Sequence, residues 1–131
     1  MKFLHKLLVF ALLFVAVITQ ASAEFTVNGV VYRITDTGVA VNNFVTDNTL
    51  NGIVNIPEEV QYGSTTYKVT GIDHLGIRAK DIKEISLPGT IKDIASFTFE
   101  NCNNLQTVKL DEGISYVSSG MFDSYKHFFG L

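Results

Sequence analysis

The feature that most narrows the fold open to this chain is a repeat within its own sequence. Ile82, Ile85, Leu87, Ile91, Ile94, Phe99 and Cys102 recur 23 positions on as Leu105, Val108, Leu110, Ile114, Val117, Phe122 and Tyr125. Six of these seven spacings are apolar in both copies, and the seventh pairs Cys102 with Tyr125. A looser copy lies upstream. Val54-Asn-Ile56-Pro57 matches Ile85-Ser-Leu87-Pro88, and Val69-Thr-Gly-Ile72 matches Ile91-Lys-Asp-Ile94, with nine extra residues between the two halves. Ile77 stands in for Phe99, one residue short of the period. Phe128 and Leu131 fall one further period after Leu105 and Val108, so the sequence stops four residues into another copy. Periods of this length mark architectures in which each repeat is one structural unit that cannot bury its own apolar face.

The alternation Ile85-x-Leu87 puts two side chains on one face of a short strand. The following Ile-x-x-Ile and Phe bring the chain back around the same core. Stability then comes from stacking neighbouring coils. The expected fold is mainly β, a short solenoid of one divergent coil, two regular ones and a stub. Ahead of it, residues 25–34 alternate as β structure around Asn28-Gly29, a favoured hairpin turn. Asp36-Thr37-Gly38 turns the chain into Val39-Ala40-Val41, and residues 62–67 read as a second hairpin with its turn at Gly63-Ser64. The first of these strands are expected to cap the open edge of the first coil.

The amino-terminal segment up to Ala23 stands apart. Lys2 and Lys6 precede an unbroken apolar run from Leu7 to Ile18, and Ala21-Ser22-Ala23 is a small-x-small cleavage pattern. Twelve apolar residues are too few to cross a hydrocarbon core of about 30 Å as a helix. The segment reads as a secretory signal removed after Ala23. The expected organisation is a signal peptide at 1–23, an N-terminal β cap at 24–51 and repeats at 52–131. All 13 acidic residues but only 8 of the 10 basic ones follow Ala23, leaving the mature chain at −5. Without a basic cluster it lacks the footprint for nucleic acid. No second apolar run is long enough to span a membrane, and Glu24 offers no thiol for lipid anchoring. The destination expected is secreted or cell surface. Cys102 is the sole cysteine, so no intramolecular disulfide is possible.

The pattern Leu-x-x-Val-x-Leu-Pro, then Ile-x-x-Ile, then Phe-x-x-Cys resembles the BspA-like class of leucine-rich repeats. The usual form of that class ends in Ala-Phe-x-x-Cys; Thr98-Phe99-Glu100-Asn101-Cys102 keeps Phe and Cys and replaces Ala. The lead-in at residues 25–34 and the stretch Tyr62 to Ile72 are also similar to the amino-terminal parts of such proteins. The resemblance covers nearly all of the mature chain. It implies a leucine-rich-repeat solenoid, secreted or surface-exposed in host-associated bacteria and mucosal protozoa, used for adhesion or recognition and not for catalysis. Two departures stand out: Asp111 replaces the Pro88 of the first regular coil, and the array is far shorter than usual.

Each candidate for chemistry has a plainer account beside it. Asp36-Thr37-Gly38 is the signature triplet of aspartic proteases, but Val39 follows where that motif takes Ser, Thr or Ala. The triplet is good turn chemistry instead. Cys102 could pair with His74 or His127 as a thiol–imidazole couple, but its repeat position points inward, and reactive thiols need an exposed electropositive setting. His74 and His127 are isolated, no cluster has metal-ligand spacing, and no cofactor is implied. Asp111-Glu112-Gly113 is a solvated turn, and no N-x-S/T sequon occurs. Register places Phe99 and Phe122 in the core, with Phe97 beside them.

If the chain has a recognition surface, repeat logic locates it. Outward positions on adjacent strands form ladders, Glu84 beside Thr107 and Ser86 beside Lys109, flanked by Lys83 and Gln106. The expected partner is a protein or surface glycan. Phe128, Phe129 and Leu131 form an apolar cluster that nothing follows, expected as an edge for self-association into a homo-oligomer or for docking. The competing expectation is a truncated amino-terminal piece of a longer array with a purely structural role.

Overall fold

The computed structural model describes residues 23–46, 50–118 and 120–122. The signal segment, Tyr125, His127, Phe128, Phe129, Leu131 and the side chain of Ile77 lie outside the described residues. Among the described residues the chain is mainly β: nine short strands and a single 3₁₀ turn at Gly76–Ala79.

Strands β1 (Glu24–Val27), β2 (Val30–Thr35) and β3 (Gly38–Phe44) form an antiparallel meander. Its first turn needs left-handed backbone at two consecutive residues. Asn28 and Gly29 supply it, at φ of 48° and 81°, the combination that fits a two-residue hairpin to the twist of its strands. The short strand β4 (Ile53–Asn55) then leads to the hairpin of β5 (Glu59–Tyr62) and β6 (Thr65–Ile72), which turns at Gly63-Ser64. Beyond the 3₁₀ turn come β7 (Glu84–Leu87), β8 (Asp93–Ile94) and β9 (Thr107–Leu110).

These strands form two sheets. One runs β1-β2-β3-β6-β5, with β8 pairing to β6. The other is β4-β7-β9, all parallel. The parallel sheet carries the repeat: Ile85 lies opposite Val108, Leu87 opposite Leu110, and Val54 opposite Ile85. On the other side of each coil, Ile72 pairs with Ile94 in parallel register. Coils therefore stack with equivalent positions side by side.

The junctions repeat as well. The Gly52 carbonyl accepts the amides of Lys83 (2.7 Å) and Glu84 (3.0 Å), and the Lys83 carbonyl accepts those of Gln106 (2.8 Å) and Thr107 (3.1 Å). Packing between coils reaches the backbone at Gly89, where an added Cβ would sit 1.9 Å from the Glu112 carbonyl oxygen.

The inward side chains make one continuous core. Val54, Ile85, Leu87, Ile91, Phe99 and Cys102 are at most 1% exposed, and Ile82 and Leu105 are buried beside them. Each such aliphatic side chain contributes on the order of 1.5–3 kcal/mol by leaving water. The amino-terminal strands add Phe25, Tyr32, Val39 and Val41 to the same core. Phe25 also stacks on Tyr62 of β5 at 4.4 Å between centroids and 7° between planes, so an aromatic pair links the first and last strands of the larger sheet.

Candidate functional site

The outer face of the β4-β7-β9 sheet is set by the pleat. Since Val54, Ile85, Leu87 and Val108 point inward, the residues between them point out. Glu84 stands opposite Thr107 and Ser86 opposite Lys109, as expected from the repeat, and Lys83 and Gln106 align just ahead of them. Lys83, Gln106 and Lys109 are exposed, while Glu84, Ser86 and Thr107 are half-buried by their neighbours. The Lys109 ammonium bonds the Glu84 carboxylate diagonally across the two strands. The pair fixes two long side chains in one geometry on an open surface.

Two residues of this face were missed in the sequence. Ile53 lies opposite Glu84 and Asn55 opposite Ser86, so the ladders have three rungs, Ile53–Glu84–Thr107 and Asn55–Ser86–Lys109. Ile53 is 54% exposed, an apolar patch at one end of a polar row. The match of Val54-Asn-Ile56 to Ile85-Ser-Leu87 was the signal that could have found them.

The other candidates sort cleanly. Asp36 and Thr37 form an exposed two-residue turn between β2 and β3, with Thr35 opposite Gly38. Thr37 Oγ1 lies 3.0 Å from Thr70 Oγ1 in a hydroxyl–hydroxyl hydrogen bond, which is turn architecture. Cys102 is buried and its Sγ donates to the Gly76 carbonyl at 3.2 Å. Burial pushes the thiol up to about 11, which disfavours the thiolate a nucleophile needs. His74 Nε2 lies 3.8 Å from the Glu100 carboxylate at the surface. Among the described residues no group of three or more His, Cys, Asp or Glu is placed to hold a metal ion, and no helix is long and apolar enough to cross a membrane.

The aromatic positions divide. Phe99 is buried and stacks at 6.0 Å on Phe122, its counterpart one repeat later, as the register requires. Phe97 corrects the expectation of three core aromatics. It is 41% exposed, and its φ of 56° belongs to a left-handed turn that throws the side chain outward. Leu110 is also out of place for an inward position, at 40% exposed. Among the described residues no strand pairs with the far side of β9.

A coil of short parallel strands, a fixed register from one repeat to the next and an apolar inner face define a leucine-rich-repeat solenoid. Residues 77–128 match the family model described as a BspA type leucine rich repeat region (6 copies). The chain is similar to a leucine-rich repeat protein from Bacteroides capillosus, with 25% identity and a TM-score of 0.58 over 70% of this chain and 67% of that one. It is also similar to a leucine-rich repeat protein from Bacteroides ovatus, with 25% identity, a TM-score of 0.56, and 69% of this chain covered. A leucine rich cell surface protein from Faecalibacterium prausnitzii shares the fold at 18% identity and a TM-score of 0.55 over 78% of this chain. The chain spans about a quarter of the length of the last two, 24% and 26%. No curated protein matches it.

Proposed function

We propose that this protein is a secreted or cell-surface binding module, without catalytic activity, that recognises a protein or surface glycan through the outer face of its parallel sheet. The observation that carries the reading is the pair of three-rung ladders. They align Asn55, Glu84, Ser86, Thr107 and Lys109 on a regular scaffold with Ile53 at one end, and solenoids bind through surfaces of this kind. The leader read at residues 1–23 supports export, and the neighbour from Faecalibacterium prausnitzii is itself described as a cell surface protein.

The test is binding of the full chain to immobilised extracellular-matrix proteins and to fixed epithelial cells at micromolar concentration. A double charge reversal, Glu84→Lys with Lys109→Glu, keeps the pair's attraction but exchanges its poles. The expected result is at least tenfold weaker binding with an unchanged thermal melt. Absence of micromolar binding to every surface tried, or binding indifferent to the reversal, would sink the reading.

A further inference from the structure

The larger sheet carries a feature on its outer face that the repeat does not explain. One rung crosses four strands: Arg33 on β2 opposite Ala40 on β3, Ala40 opposite Gly71 on β6, and Gly71 opposite Asp93 on β8. The two central positions carry a methyl group and a hydrogen, so the rung is low in the middle and high at both ends. The result is a groove of about 390 Å³, within the size range of small-ligand sites. An added Cβ at Gly71 would stand 3.2 Å from the Asp93 carbonyl oxygen and 3.4 Å from the Ala40 methyl. A larger residue there would raise the floor.

The walls are held in place. Arg33 bonds both oxygens of Asp73, Nε to Oδ2 at 2.9 Å and Nη2 to Oδ1 at 2.8 Å. Lys92 Nζ donates to the carbonyls of Gly89 (3.1 Å) and Gly113 (2.9 Å). Ser118 Oγ donates to the Ala95 carbonyl at 2.9 Å. The segment between Gly113 and Ser118 is thus tied to the groove at both ends, and it carries Tyr116, which lines the groove and is 63% exposed. A large aromatic ring left open to solvent beside a preformed groove is a platform for a ligand with an apolar face.

We propose that this groove binds a short neutral saccharide, at a site separate from the parallel-sheet face and beyond the reading given above. The lining decides the ligand class. Arg33 and Lys92 balance Asp73 and Asp93, so the groove has no net charge with which to select an ionic ligand. Both cations already serve the protein's own carboxylate and carbonyls. What faces the space is Asp93, a small apolar floor and the Tyr116 ring, with Thr35 and Thr70 beside them, whose hydroxyls bond to Thr37 in the turn between β2 and β3. Carboxylates accept strong hydrogen bonds from hydroxyl donors, and a pyranose presents hydroxyls at its rim and C–H groups on its face. An apolar peptide would have to strip water from four charged side chains.

The experiment is saturation-transfer NMR on the full chain with maltotriose, cellotriose, mannotriose and N-acetylchitotriose, and with a sialylated trisaccharide and a heparin tetrasaccharide as charged controls. Transfer to the ring protons of at least one neutral probe is expected, with Kd raised at least tenfold by Tyr116→Ala and by Asp93→Asn at an unchanged melting temperature. The Glu84→Lys, Lys109→Glu variant should leave that Kd as it was. No transfer to any neutral probe at millimolar concentration, preference for a charged probe, or indifference to both groove variants would overturn the proposal. So would loss of saccharide binding in the charge-reversed variant alone, since the ligand would then lie on the other sheet.

Discussion

Strands β7 and β9 carry the same pattern one repeat apart, yet their inward side chains meet different fates. Ile85 and Leu87 are wholly buried, whereas Val108 is half-buried and Leu110 is 40% exposed. The chemistry of the positions is equivalent. The difference is that β7 lies between β4 and β9, while β9 is paired on one side among the described residues. Burial in this protein is therefore a property of a residue's neighbours in the stack more than of its own coil, the nearest-neighbour behaviour expected of solenoids.

The sharpest way to break this comparison is to truncate the equivalent leucines. Leu87→Ala should cost about 2–5 kcal/mol, the range for buried aliphatic truncation, and Leu110→Ala less than about 1 kcal/mol, as for surface substitutions. Urea denaturation followed by far-UV circular dichroism compares them directly. Equal losses would show that β9 is covered as well as β7. Gly89→Ala comes next. Its methyl would press on the Glu112 backbone, which a side-chain rotation cannot relieve, and a cost of about 1–3 kcal/mol is expected. A wild-type melt for this variant would mean that the two coils are not in contact there.

Alkaline pH probes the interior of the stack. Burial raises Cys102 from 9.0 to about 11 and Tyr32 from 10.0 to about 12. Both groups lose their protons in the unfolded chain before the folded one. The unfolded state then binds fewer protons, and stability falls as pH rises through this window. The fall should begin near pH 9, and Cys102→Ala should delay its onset; denaturation midpoints from pH 7 to 11 measure both. The smallest effect expected is that of the surface pair. Glu84→Gln should change stability by less than about 1 kcal/mol, and less again in high salt, by the same urea assay.

Much of this was legible in the residues themselves. The spacing from Ile82 to Phe122 specified which side chains stack on which, because a parallel register between coils follows once the period is known. Asn28-Gly29 and Gly63-Ser64 announced their turns through backbone chemistry alone. The polar ladder of Glu84, Ser86, Thr107 and Lys109 came from the same period. Its third rung lies outside the 23-residue period, because the hairpin after Pro57 lengthens that coil, and was legible only through the match of Val54-Asn-Ile56 to Ile85-Ser-Leu87.

The groove was out of reach for a different reason. Arg33, Ala40, Gly71 and Asp93 meet only because β3 pairs in parallel with β6 through a register shift between Val39 and Ala40, and no local pattern encodes that shift. The outward turn of Phe97 and the exposure of Leu110 likewise depend on backbone angle and on neighbours, neither of which a period records.

The paired junctions at Gly52 and Lys83 have a consequence for how such a protein changes over generations. In each, one carbonyl accepts two successive amides from the next coil, although the stretch of chain between donor and acceptor differs in length from one junction to the other. What passes from coil to coil is the handshake, with the intervening chain free to vary. Unequal recombination that inserts or removes a whole coil between two such junctions leaves the surviving ones chemically as they were. A coil can thus be gained or lost while the hydrogen bonds at the remaining junctions stay as they are.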